Sequence, residues 1–269
     1  MSDVIPVSVE WLTLREDADG RARSRQLASM AARMFSPPII VHDLGSGTGS
    51  MLRWLAPALP GPQTWVLHDW NSALLDHAAE RALDSTGHGA AVRTSLKDVA
   101  HLREDDLEGA SLVTMSALLD VLTLEEAQAI VAACVGAGTP GLFTLTVTGE
   151  VRLVPVNPGD RMFESAFNDH QRRTVDGRRL LGPDAAATVV DLFRAAGWSV
   201  RTADSPWRLD STEPALVYEW LEGWLAAAVE ERPALHEWAD EYQQTRLAQL
   251  DAGQLSVVVQ HRDVFAWPP

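Results

Sequence analysis

The chain carries the run Val41-His42-Asp43-Leu44-Gly45-Ser46-Gly47-Thr48-Gly49-Ser50 directly after the apolar Pro38-Ile39-Ile40. A glycine-rich loop that leaves a buried strand and opens a helix suits a nucleotide, because bare backbone N–H groups can approach the ligand closely. A triphosphate loop needs a Lys-Ser/Thr pair at its end, and this loop runs into Gly49-Ser50-Met51 with no lysine. The dinucleotide fingerprint spaces its glycines G-x-G-x-x-G. Here the spacing is G-x-G-x-G, with Ser50 in the third glycine's place; serine is small, so the mismatch weakens that reading without ending it. Asp43, two residues before Gly45, is more telling. A carboxylate there repels a pyrophosphate but accepts hydrogen bonds from a cationic amino group. At the end of a buried strand it is costly unless partnered.

A second acid, Asp69, ends the apolar run Thr64-Trp65-Val66-Leu67-His68. A carboxylate at this place can take both ribose hydroxyls, in NAD proteins as well, or it can cap the helix that follows. The strand–loop Asp43-Leu44-Gly45-Ser46-Gly47-Thr48-Gly49, with Asp69 after it, resembles the class I S-adenosylmethionine-dependent methyltransferases over roughly residues 39–147. The ammonium and sulfonium of that cofactor suit Asp43. The resemblance implies that Asp43, Gly45, Ser46, Gly47 and Gly49 cradle the cofactor, with Asp69 at its ribose and Trp70 also among the cofactor-binding residues. It places Asp98 and the backbone of Val99 at the adenine, although Asp98 can also be read as a solvated loop acid. Ser116, opening Ser116-Ala117-Leu118-Leu119, falls under the methionine moiety. The N-terminal segment (1–36) is expected to fold over the pocket, where Arg15, Arg21 or Arg23 would pair with the methionine carboxylate; Arg23 is the residue assigned. S-adenosyl-L-homocysteine is the implied product.

Methyl transfer from a sulfonium is a direct displacement, so the protein must align the reactants and remove a proton only if the acceptor requires it. No Asn-Pro-Pro-Tyr element follows the fourth strand; Asp120 is there instead, as a base, an orienting group or a helix decoration. After Gly149 the regular pattern breaks. Residues 150–182 hold Arg152, Arg161, Arg172, Arg173, Arg178 and Arg179 together with Asn168, His170 and Gln171. An insertion of this length is expected to serve as a lid. It would receive an anionic or polar small-molecule acceptor, with His170 as the general base because histidine titrates near neutrality. The other reading is a solvated helix whose arginines are neutralised by Glu164 and Asp169. Trp11 and Trp207 are candidates for lining an aromatic acceptor. Trp220 and Trp224, four apart, are spaced as core residues.

These groups require a particular frame. Apolar runs at Ile39–Leu44, Thr64–Asp69, Ala90–Ser95, Ser111–Ser116 and Leu142–Val147 alternate with helical stretches. This is the rhythm of a parallel sheet covered on both faces. Helices are expected at 50–59, 71–83, 124–137, 160–172, 183–196, 213–230 and 233–250, with strands near 198–203 and 255–261. The resemblance makes this a Rossmann-like, seven-stranded, mostly parallel α/β sheet whose last strand inserts antiparallel. The catalytic domain would span 37–269, with the lid at 150–182 and helical additions at 213–252.

The chain has 269 residues and a formal net charge of -15. Such a balance argues against a nucleic-acid substrate, since gripping a phosphate backbone needs clustered Lys and Arg. One cysteine, Cys134, forms no internal disulfide and gives no metal spacing, so a buried thiol is expected and no metal site. Neither a secretion signal at residues 1–5 nor a membrane span is apparent, which points to the cytoplasm. Lys97 is the single lysine, a bias expected of a high-GC bacterial gene. The function expected is methylation of a small molecule by a monomer or homodimer. The alternatives are a catalytically silent S-adenosylmethionine-binding protein and an NAD(P)-dependent oxidoreductase.

Overall fold

The strands at the centre are those whose residues are apolar on both faces. A computed structural model of the chain describes residues 7–85 and 90–269; residues 1–6, which include the stretch read for a secretion signal, lie outside them. β1 (Ile39–Leu44), β2 (Gln63–Asp69), β4 (Leu112–Ser116) and the first half of β5 (Gly141–Val154) are nearly continuously buried. That is the pattern of parallel strands covered on both faces. β3 (Ala90–Leu96) is half-exposed at the sheet edge, which explains its weaker sequence signal. The order is β3-β2-β1-β4-β5-β10-β8, with β10 (Ser256–Trp267) antiparallel to both β5 and β8 (Ser199–Asp204). The expected antiparallel insertion is therefore present. The path has seven strands, and β9 (Trp207–Asp210), too short to stand out in the sequence, joins β10 as an eighth.

Helices α2 (Arg25–Ala32), α3 (Ser50–Leu55) and α4 (Ser72–Ser85) cover one face, over Ile39, Val41, Trp65 and Leu67. α5 (Leu124–Ala137) and α7 (Ala185–Ala195) cover the other, over Leu44, Val113, Met115 and Phe143. Cys134 is fully buried here, and its surroundings push the thiol up to about 12. α5 begins with a reciprocal cap between Thr123 and Glu126, which satisfies two free N–H groups of its first turn.

A third core departs from the sequence reading. The fifth strand does not stop near Val147 but runs on through Gly149 (φ 85°) to Val154, pairing with Ser256–Val259 of β10. Val151 and Leu153 point inward while Glu150 and Arg152 point out, a period-two pattern that the glycine obscured. Residues 150–154 therefore belong to the sheet. With β9 they form an antiparallel extension packed by α1 (Val9–Ala22), α6 (Asp160–Gln171), α8 (Pro214–Glu231) and α9 (His236–Asp251). The short hairpin β6 (Thr174–Val175) and β7 (Arg178–Arg179) follows α6. Among the described residues, no helix is long and apolar enough to cross a membrane.

Candidate functional site

Parallel pairing brings the ends of β1, β2 and β4 to one edge, with Leu44 beside His68 and Asp43 beside Thr114. The glycine loop leaves that edge. Gly45 cannot be replaced without strain, because its φ of 62° lies in the left-handed region that side chains disfavour; a Cβ there would also displace Leu118 Cδ2, at 2.4 Å. Gly47 (φ 53°) donates its N–H to Asp69 Oδ2 at 2.9 Å. The other Asp69 oxygen accepts from Asn71 N at 2.9 Å, and Asn71 Oδ1 in turn accepts from Ala73 N at 3.0 Å in the first turn of α4, so this acid braces both the loop and the turn that leads into α4. Burial raises its pKa, against backbone N–H donation from Asn71, Gly47 and Trp70.

Asp43 is almost fully enclosed. Its Oδ1 accepts from Thr114 Oγ1 at 2.7 Å, and among the described residues Oδ2 has no hydrogen-bond partner. Burial lifts its pKa to about 7, against the Thr114 hydrogen bond and the charge of Arg23. Arg23 stands where α1 turns into α2, 2% exposed. Its Nη2 donates to Ser50 Oγ and Ser116 Oγ, both at 2.9 Å, while Nε and Nη1 lack partners among the described residues. Burial works against its charge, which Asp19, Asp43 and Asp263 support. Ser46 Oγ and Thr144 Oγ1 are also buried and unpartnered among the described residues, and Thr144 pairs in register with Ser116. Buried polar groups are nearly always satisfied. A cluster of unsatisfied ones, carrying an anion and a cation, has the form of a seat for a zwitterion.

Of the three candidate arginines only Arg23 reaches this seat. Arg15 is fixed on Asp19 by three hydrogen bonds of 3.0–3.2 Å and lies over the Trp207 ring at 4.7 Å. Arg21 pairs with Glu213 on an exposed surface. α1 nonetheless lies across the loop: Leu12 is 3.1 Å from the position of a Cβ on Gly47, and Trp54 Nε1 donates to Gly20 O.

The remaining expected residues are spread more widely. Gly49 (φ 81°) is the N-cap of α3. Trp70 follows Asp69 and is half-exposed. Asp98 is exposed and accepts from Ala100 N at 3.0 Å, capping the short turn that contains the buried Val99. Asp120 is partly enclosed beyond β4; burial raises its pKa and the charge of Arg15 acts against that. His170 lies in the joint between α6 and α8, with Nε2 3.3 Å from Glu230 and Nδ1 3.2 Å from Arg173. Burial, then Arg173, lowers its pKa.

Around His170 some of the arginines are neutralised by acids, while Arg173 donates to His170 itself. Arg172 pairs with Asp184 and Arg178 with Glu126, while Asp169 holds Arg232. Glu164 instead accepts from Val151 N. Trp207 is buried and donates to Asp19 Oδ1 at 2.9 Å, and Trp220 and Trp224 stack at 5.4 Å. The sequence reading missed Thr114, Asp19 and Asp263. Each lies in an otherwise apolar or helical stretch, and only the "costly unless partnered" rule applied to Asp19 and Asp263 could have found the two acids.

A sequence model of the methyltransferase domain matches residues 41–141. No curated protein matches the chain. A proposed methyltransferase from Bacillus halodurans C-125 superposes with TM-score 0.52 at 13% identity, covering 90% of this chain and 97% of that one, which supports the fold. Also similar is a Geobacter sulfurreducens S-adenosylmethionine-dependent methyltransferase solved with S-adenosyl-L-homocysteine (18% identity, 99% and 100% coverage, TM-score 0.49). Another, from Thiobacillus denitrificans and solved with the same molecule, gives 17%, 97% and 98%, and 0.49. The domain match over residues 41–141, the strand order and the glycine loop agree with the resemblance to the class I S-adenosylmethionine-dependent methyltransferases.

Proposed function

We propose that the chain binds S-adenosylmethionine at the edge formed by β1, β2 and β4 and methylates a small-molecule acceptor by direct displacement. The observation that carries this reading is a buried acid and a buried arginine whose atoms Asp43 Oδ2 and Arg23 Nε and Nη1 lack hydrogen-bond partners among the described residues. Arg23 would take the amino-acid carboxylate in a charge-assisted pair, and Asp43 would take the ammonium. Asp69, already braced by Gly47 N, would receive the ribose hydroxyls, with Trp70, Asp98 and Val99 toward the base. When bound, the cofactor supplies a methyl group made electrophilic by its sulfonium. Gly45, with Leu118 against it, and Ser46, Gly47 and Gly49 would form the cradle.

On the acceptor side, Asp120 follows Ser116 of the seat through Ala117, Leu118 and Leu119. It is the candidate to orient the acceptor. His170, engaged with Glu230 and Arg173, has no step assigned to it. The net charge of -15 favours a small molecule over nucleic acid. Calorimetric titration with S-adenosyl-L-homocysteine and then NADH tests the reading. The homocysteine compound is expected to bind, with Asp43→Ala and Asp69→Ala each weakening it. Binding of NADH alone, or unchanged affinity in both variants, would refute the proposal.

A further inference from the structure

Arg23 can serve a ligand only if the joint between α1 and α2 is held against the sheet, and the group that holds it is far away in sequence. Asp263 on β10 is fully buried and accepts three hydrogen bonds. Its Oδ2 takes Ser24 N at 2.7 Å, across 239 residues of chain. Its Oδ1 takes Leu145 N at 2.8 Å and Ser205 Oγ at 2.5 Å. Ser24 is the residue next to Arg23 and the N-cap of α2.

Leu145 is one of few non-glycine residues with positive φ (57°), a conformation that persists only where its surroundings impose it. It follows Thr144, whose carbonyl accepts Ala117 N, itself at φ 52°. Both strained residues therefore flank Ser116 and Thr144, the floor beneath Arg23. One carboxylate fixes the backbone beside Arg23 with one oxygen and the kink in β5 with the other.

We propose that Asp263 is a positioning residue for the cofactor's amino-acid end: it sets where Arg23 stands by clamping Ser24 N and Leu145 N across β10. This rests on the seat proposed above and adds a residue that touches no part of the ligand. Asparagine is the informative replacement. It keeps the shape but has one acceptor oxygen and one NH2 group, so one of the two backbone N–H groups must lose its partner.

The test compares S-adenosyl-L-homocysteine with 5′-methylthioadenosine, which keeps the nucleoside and thioether but lacks the carboxylate and ammonium. Asp263→Asn is expected to weaken the first about tenfold, the worth of one charge-assisted hydrogen bond, and to leave the second within about twofold. Equal loss of both would mean that Asp263 merely supports the fold, and an unchanged homocysteine affinity would mean it positions nothing; either overturns the proposal. A wild-type protein that binds neither compound removes the seat itself, and the positioning role with it. If Asp263→Asn fails to fold, Ser24→Pro deletes the same N–H. Ser24 has φ -70° and Arg23 has φ -52°, ψ 138°, angles that proline and the residue before it accept. It carries the same expectation, and the same two results would overturn it.

Discussion

Two arginines, Arg23 and Arg246, are both buried to 2% exposure or less, and they are treated differently. Arg246, on α9, closes directly on Asp160 of α6, donates to Pro155 O at 2.6 Å and Gln249 Oε1 at 2.8 Å, and lies over Tyr242. Among the described residues Arg23 donates only to two hydroxyls; its guanidinium lies over the Trp54 ring at 5.7 Å, and the carboxylate of Asp19 stays 3.9 Å away. The first arrangement neutralises a charge and ties the antiparallel extension together. The second keeps a charge available at the end of β4, across from an acid, Asp43, that likewise has an unpartnered oxygen among the described residues. The difference separates a structural ion pair from the proposed binding group, although the two residues are almost equally enclosed.

Removing each guanidinium in turn separates the two roles. Arg246→Met leaves Asp160 without its cation, and losing one partner of a buried pair costs about 3–5 kcal/mol. Chemical denaturation should record that loss while the folded protein binds S-adenosyl-L-homocysteine normally. Arg23→Met should do the reverse. Stability holds or rises, because an incompletely matched buried charge is gone, while ligand affinity falls by about 1.5–3 kcal/mol, roughly ten- to a hundredfold by calorimetry.

A gentler probe is pH. Burial holds the Asp43 pKa near 7 rather than 3.8, so the folded state binds its proton more tightly than the unfolded chain. Its contribution to stability is full below 3.8 and is lost as pH rises toward 7. Ligand binding runs the opposite way, since an ammonium needs the ionised carboxylate. Affinity for S-adenosyl-L-homocysteine should climb up to about tenfold per pH unit below about 7 and level off above it, a slope that Asp43→Asn abolishes. The smallest effect is expected from His170→Ala. With its ring between Glu230 and Arg173, homocysteine-compound affinity should change by no more than about 0.5 kcal/mol. A larger loss would mean that the α6–α8 joint reaches the seat.

The parallel half of the molecule was legible because its signals are local. Ile39–Leu44 is apolar throughout most of its length, the loop's glycines sit at positive φ, and Asp43 and Asp69 end adjacent strands. The antiparallel extension was not, because its meaning depends on distant partners. Val151 and Leu153 alternate properly but follow Gly149, and their mates are Val259 and Val257. The short β9 shows its role only once β10 lies beside it. The site divides in the same way. Asp43 announced itself as a carboxylate at the end of a buried strand, whereas nothing local distinguishes Arg23 from Arg15 or Arg21. Its selection comes from the bend between α1 and α2, which places Ser50 and Ser116 within its reach.

The most direct test is a crystal structure of the protein with S-adenosyl-L-homocysteine. The expected result is the ligand's carboxylate on Arg23 Nε or Nη1 and its ammonium on Asp43 Oδ2, with the ribose hydroxyls at Asp69. A ligand bound elsewhere, or bound at the loop without contact to Asp43 Oδ2 or to Arg23 Nε and Nη1, would contradict the zwitterion seat.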